Sequence, residues 1–131
     1  MMMFKVILPA LIAIVCCTSC TKDMTKPSNC NTCLTYSFKA NIVPIFQQNC
    51  AIPGCHDAGD QAGNLTLDSA LAYSQITQSG TGYVNPGSPT TSVLLSQLYT
   101  GASNHMPQDG QLDACTIQEI YCWIQEGAKN N

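Results

Sequence analysis

Basic side chains are scarce in this sequence. Its 131 residues hold no arginine and five lysines against eight acidic residues, a net charge of −3. Without a basic patch there is no electrostatic footprint for nucleic acid, and that class of partner is excluded. Long apolar runs are missing too. The longest, Val6 to Val15, is too short to cross a bilayer as a helix, which takes about 20 residues. No stretch alternates apolar and polar residues as a strand does, and no internal repeat is visible. Nor does any pattern suggest a substrate pocket with an acid–base pair, so the chain is expected not to be an enzyme. Cysteine, by contrast, is abundant: nine in all.

The N-terminus reads as an export signal. Lys5 supplies a positive charge, Val6–Val15 an apolar run, and Cys16-Cys17-Thr18-Ser19 a stretch of small residues before Cys20 and the polar Thr21-Lys22-Asp23. Cysteine at that junction is expected to be the lipidated first residue of a mature lipoprotein, with residues 1–19 removed. The alternative is ordinary cleavage somewhere after Cys17. Acyl chains on Cys20 would hold the protein at a membrane, facing the periplasm or cell exterior, without a spanning helix. The mature chain would keep four basic and eight acidic residues, a net charge of −4. Such a chain is drawn to basic partners and repelled by acidic ones. Residues 20–35 are expected to form a tether that carries two cysteines, and residues 36–131 the folded domain.

Within that domain the readable elements are all helical. Pro44 suits the first turn of a helix over Val43–Asn49 that runs into Cys50. Asp68 is a plausible cap for a helix reaching Ile76, and Ser92–Tyr99 places Val93, Leu94, Leu95 and Leu98 on one face. The clearest helix starts after Asp113, with Thr116 and Glu119 as a second capping pair. It carries Ile117, Ile120, Tyr121 and Ile124 at helical spacing and stops at Gly127. Glycine and proline break the rest into long loops. An all-α domain of this kind needs disulfides or a cofactor to hold it together.

The segment Cys50-Ala51-Ile52-Pro53-Gly54-Cys55-His56 carries the chemistry. Covalent haem c is usually attached at C-x-x-C-H, two thiols joining the vinyl groups and the adjacent His ligating iron. Here four residues separate the cysteines, and Pro53-Gly54 can fold the additional residues into a turn. Two other readings compete: a Cys50–Cys55 disulfide with His56 an ordinary loop residue, and zinc held by Cys50, Cys55, His56 and one further cysteine. A second ligand favours haem. Met106, in the loop Asn104-His105-Met106-Pro107-Gln108, offers a soft thioether that suits low-spin haem iron. Pro107 makes that loop rigid. His105 is a competing ligand, otherwise expected to be exposed.

Taken together these pieces resemble a family. Residues 43–128, about two thirds of the chain, resemble small class I-like monohaem cytochrome c domains, in particular the planctomycete-type cytochrome c domain of bacterial exported proteins. Val43-Pro44-Ile45-Phe46 with Asn49-Cys50 resembles the helix before the haem site, and Gly54-Cys55-His56 the attachment site. Gly63-Asn64-Leu65-Thr66-Leu67-Asp68 resembles the loop that follows. Val84-Asn85-Pro86-Gly87 with Pro89, Ser92 and Leu94 resembles the segment before the third helix. Met106-Pro107 resembles the distal loop, and Leu112 to Ala128 the last helix. The resemblance implies thioether links at Cys50 and Cys55, His56 as proximal ligand and Met106 as distal ligand. It also implies that the first and last helices pack together beside the haem, with Trp123 and Ile124 in the core. The spacing of the two cysteines departs from the family's pattern.

Four cysteines remain. Cys30-x2-Cys33 precedes Leu34 and not His, so it is no second haem site. A thioredoxin-like redox role for that pair would need a βαβ unit, which is absent. Cys115 and Cys122 lie two turns apart on one helix, about 10 Å, too far for a mutual disulfide, which needs Cα atoms within about 7 Å. Two disulfides are therefore expected between Cys30 or Cys33 and Cys115 or Cys122, with the pairing open. The sequence thus points to a lipid-anchored one-electron carrier with one haem c, serving redox partner proteins. Its rivals are a haem-free, disulfide-rich binding or structural lipoprotein, and a haem enzyme or gas sensor with an open sixth position.

Overall fold

The computed structural model describes residues 30–131. The expected signal, the lipid-bearing Cys20 and the first part of the tether lie outside them. The described residues form helices and loops, with no strand among them. A π-helical turn, Phe38–Ile42, runs directly into α1, Val43–Asn49. Then come α2, Ala72–Ile76, α3, Val93–Gln97, and α4, Ala114–Gln125, with 3-10 turns at Ala62–Asn64 and Pro89–Thr91. No helix among the described residues is long and apolar enough to cross a membrane.

The first helix thus begins five residues earlier than its proline suggests. Ser37 caps it, its Oγ accepting from the Ala40 amide at 3.2 Å. Proline cannot donate in a helical ladder. Here the amide of Val43, just before Pro44, donates to Phe38 in the wider π pattern, so the missing donor falls at the joint between two helical registers. α2 and α3 are shorter than the sequence suggests. Asp68 closes a turn, accepting from the Ala70 amide at 3.1 Å, and the helix proper starts only at Ala72. α4 matches its signals. Asp113 Oδ1 accepts from the amides of Cys115 and Thr116 at 3.0 and 3.1 Å. The Thr116 hydroxyl, expected to lead a second cap, instead donates to Asp113 Oδ2 at 2.7 Å. Gly127, at φ +97°, reverses the chain at the other end.

The core lies where α4 crosses the π turn and α1. Phe38 packs against Trp123, Tyr73 and Phe46, with ring centroids 5.2, 5.1 and 6.3 Å apart. Trp123 is 1% exposed and Ile124 fully buried, as the family pattern implies. The indole N–H donates to the carbonyl of Lys129 and the Tyr73 hydroxyl to that of Ala128, each at 3.0 Å. These bonds satisfy the polar ends of buried aromatics. The long loop between α2 and α3 is tied down at both sides. Gly87 donates to the Ile124 carbonyl at 2.8 Å, and the amides of Val93 and Leu94 donate to Gly82 and Tyr83 at 2.9 Å. Those bonds fix α3 against α4.

The disulfides join Cys30 to Cys115 and Cys33 to Cys122, with Cα separations of 4.9 and 5.3 Å. The N-terminal segment therefore runs alongside α4, as a staple on one stripe of it. The bridges close loops of 85 and 89 residues, which overlap almost entirely. Replacing Cys30 and Cys115 with serine should lower the unfolding free energy by about 2–4 kcal/mol or less. Removing either bridge alone should cost much less than removing both, because the survivor still closes nearly the same loop. Urea unfolding of the two single-bridge variants and the bridge-free variant measures this. Costs that simply add would contradict it.

Candidate functional site

α1 ends at Asn49, and the chain then makes a tight frame. The amides of Cys50 and Ala51 both donate to the Phe46 carbonyl at 2.8 Å. Ile52-Pro53-Gly54-Cys55 forms a turn closed by the Cys55 amide on the Ile52 carbonyl at 3.0 Å. Gly54 takes φ +82° in it, a conformation that favours glycine. The His56 amide then returns to the Cys50 carbonyl at 3.0 Å. The wide cysteine spacing is thus absorbed by the Pro-Gly turn, and His56 is brought back beside Cys50. An acidic side chain braces the turn: Asp60 Oδ2 accepts from the Gly54 amide at 2.6 Å.

The segment after the 3-10 turn Ala62–Asn64 holds the imidazole. His56 Nδ1 lies 3.2 Å from the Leu65 carbonyl oxygen. A carbonyl only accepts, so the contact assigns a proton to Nδ1, and in the neutral ring Nε2 is the nitrogen left with a lone pair for a ligand role. The His56 carbonyl accepts from the Leu67 amide at 2.7 Å and the Thr66 hydroxyl at 3.3 Å. Thr66 is fully buried, and its own amide donates to Gln75 of α2 at 2.8 Å. The ring's orientation is therefore set by three neighbouring residues and one helix.

Across the chain, α3 holds the Met loop. The Met106 amide donates to the Gln97 carbonyl at 2.8 Å. Cys50, Cys55, His56 and Met106 all line one cavity of about 390 Å³, within the usual size of small-molecule sites. Its other walls are mostly apolar, with Leu65, Leu67, Ile76, Leu94 and Leu98, and with Tyr83, Gln97 and Pro107. His105 does not line it. It is not exposed, contrary to expectation, but half-buried, with Nε2 buried and lacking a hydrogen-bond partner in the protein. Leu65, Thr66 and Gln97 escaped sequence reasoning. Gln97 alone left a signal, a polar residue between Leu94 and Leu98 on an apolar helix face.

Both thiols at 50 and 55 are free and half-buried. The Cys50–Cys55 disulfide is therefore not the arrangement seen. Zinc needed one further cysteine, but Cys30, Cys33, Cys115 and Cys122 are all bridged. Among the described residues no group of three or more His, Cys, Asp or Glu side chains could hold a metal ion. Two thiols, an imidazole and a thioether around an apolar cavity are the donor set of a covalently held haem, and the residues present fit that group.

Burial, and then the neighbouring Cys55, push the Cys50 thiol up from the ordinary 9.0 to about 11. The thiolate is the reactive form. In cofactor-free protein, alkylation of Cys50 should therefore keep accelerating with pH until about 11. The sign for stability follows from the folded state holding its proton longer than the unfolded one. The contribution is complete below pH 9.0 and is lost as pH rises toward about 11. A pH series of iodoacetamide labelling, resolved by mass spectrometry, checks the first point. A labelling midpoint at or below 9.0 would contradict it.

Residues 53–110 match the family model of planctomycete cytochrome C. That span takes in Cys55, His56 and Met106 and begins just after Cys50. No curated protein and no solved structure gives a significant match to the chain. With an all-helical fold among the described residues and a cavity lined by these side chains, this match supports a planctomycete-type cytochrome c domain.

Proposed function

We propose that the protein is an exported, lipid-anchored carrier of single electrons that holds one haem c, with His56 and Met106 as axial ligands. The observation that carries this reading is the convergence of Cys50, Cys55, His56 and Met106 on one apolar cavity, with both thiols unbridged. Haem, when bound, supplies a one-electron couple between ferric and ferrous iron. The chain's own residues do the rest. Cys50 and Cys55 would anchor the group through thioether bonds. The Leu65 carbonyl keeps the His56 proton on Nδ1 and so presents Nε2. α3 fixes Met106 through its amide, and the Met106 thioether would serve as the second iron ligand and favour a high potential. The apolar walls exclude water. No acid–base pair lines the cavity, so transfer without bond making suits it best, and the protein is not an enzyme on this reading. Its redox partners should carry basic surfaces, given the acidic surplus.

The anchor rests on the sequence around Cys20, and with it the location in the cell envelope. The two disulfides suit the same oxidising compartment. They would equally suit a haem-free, disulfide-rich binding lipoprotein. That reading leaves the two free thiols and the His56 tautomer without a purpose.

Protein produced with the haem c attachment machinery should show a Soret band that survives acid–acetone extraction. The band should be lost to extraction when Cys50 and Cys55 are both replaced by serine. Folded but colourless protein would end the carrier reading. Met106→Ala should open the sixth position, turn the ferric spectrum high-spin and lower the potential. A spectrum that is high-spin already and unaffected by the change would favour a sensor or haem enzyme. Cys20→Ser should release the protein from the membrane fraction, and the intact mass of mature protein should show acyl chains that this variant lacks.

A further inference from the structure

Haem c carries two carboxylates, and the cavity described here offers them no cation. The chain has no arginine. Among the described residues the lysines are Lys39 and Lys129, and neither lines the cavity. Both sit at the far end of the core, where the Lys39 amide donates to Asn131 and the Lys129 carbonyl accepts from Trp123. The polar side chains that do line the cavity include four neutral carboxamides, those of Asn49, Gln97, Asn104 and Gln108. Asn49 is already engaged, donating to the Ile45 carbonyl at 2.8 Å. Gln97 is not: its Oε1 is buried with no hydrogen-bond partner in the protein, and its Nε2 has only the Ser96 hydroxyl at 3.4 Å.

We propose that Gln97, assisted by Asn104 and Gln108, receives a carboxylate of the group bound in the cavity, so that the anion is recognised by neutral amide donors and not by an ion pair. The proposal rests on the haem reading above and adds to it which residues hold the acidic edge. Gln97 lies on α3, and Asn104 and Gln108 flank Met106, whose amide is bound to the Gln97 carbonyl. All three donors therefore belong to one wall. A half-turn of the Gln97 carboxamide about its last bond exchanges the oxygen and nitrogen ends and points two N–H groups at an acceptor. A carboxylate accepts only, and in a partly buried site it must find donors. With Asp57, Asp60, Asp68 and Asp109 in the loops that bear His56 and Met106, and no cation to offset them, those amides carry the recognition.

The test uses the full-length protein with Cys50 and Cys55 both replaced by serine, so that porphyrin binding is reversible. Ferric protoporphyrin IX and its dimethyl ester are titrated in turn and followed by the Soret shift. The parent should bind the diacid roughly tenfold more tightly than the diester, the worth of one hydrogen bond to a charged group. Gln97→Leu should erase most of that preference by weakening the diacid several-fold more than the diester, with the thermal midpoint of the porphyrin-free protein as the check on folding. Gln97→Glu, close in shape, should weaken the diacid alone by tenfold or more, and Gln97→Lys should restore the preference. Equal losses for both porphyrins, or none for either, would overturn the proposal, since Gln97 would then serve packing alone. Failure of the parent to bind either porphyrin would be a different result, sinking the haem reading and this inference with it.

Discussion

Which imidazole nitrogen offers a lone pair to a ligand is set by what its other nitrogen meets, and at His56 that partner is the Leu65 carbonyl. The Leu65 carbonyl that holds Nδ1 is aimed by the 3-10 turn over Ala62–Asn64. That turn is itself tied back, the Ala62 amide donating to the Cys55 carbonyl at 2.8 Å. Beyond it, Thr66 and Leu67 fasten onto the His56 carbonyl, and Gln75 carries the hold into α2. A loop of this length has no regular ladder to fix it. Its rigidity comes from these cross-bonds, each joining residues about ten apart in sequence. Loosen the Leu65 contact and the ring is free to turn, so the tautomer is no longer imposed.

The domain divides into a half that packs and a half that encloses. The π turn, α1 and α4 build the aromatic core around Phe38 and Trp123, and the disulfides stiffen its outer face along α4. α2, α3 and the loops that flank them form the cavity, with Leu67, Ile76 and Leu98 buried in the core yet also lining its walls. A chain with this much irregular backbone gains little from helix propensity, and short helices in isolation are marginal. Here the loops are pinned by specific bonds, such as Gly87 to Ile124, and by buried Ser92, whose hydroxyl accepts from the Asn85 amide and donates to the Ser88 carbonyl.

Periodicity and capping made α4 legible, since Asp113, the Ile117–Ile124 stripe and Gly127 all act locally. The helix of Val43–Asn49 was legible for the same reason, but its π-helical lead was not. A proline reads as a start, and nothing local shows that Ser37 begins a helix in another register. The disulfide pairing was narrowed by helix geometry and left open by it, because either cysteine of the N-terminal segment can reach the stripe on α4. The family resemblance located Cys55, His56 and Met106. What it could not show was which carbonyl meets His56, or that Gln97 lines the cavity. Those are contacts between residues nine or more apart, set by how loops cross, and single-sequence patterns carry no trace of them. His105 illustrates the same limit, a polar residue in a polar loop that the fold nevertheless half-buries.

The six cysteines of the domain are asked for opposite chemistry. Cys30, Cys33, Cys115 and Cys122 are bridged, while Cys50 and Cys55 are free, as thioether attachment on the proposed reading would require. Exchange and oxidation both begin from the thiolate. Burial that lifts the Cys50 thiol to about 11 leaves roughly one molecule in ten thousand ionised at pH 7, a hundredfold fewer than an ordinary thiol at 9.0. The bridged cysteines at 30 and 33, by comparison, are close to solvent and lie on a segment that has only α4 to pair with. A proximity argument that treats all six thiols alike predicts scrambling. In the folded chain burial instead holds the Cys50 thiol far from its reactive form at neutral pH. That difference from an ordinary thiol arises first from burial in the same apolar enclosure that suits the cavity to haem.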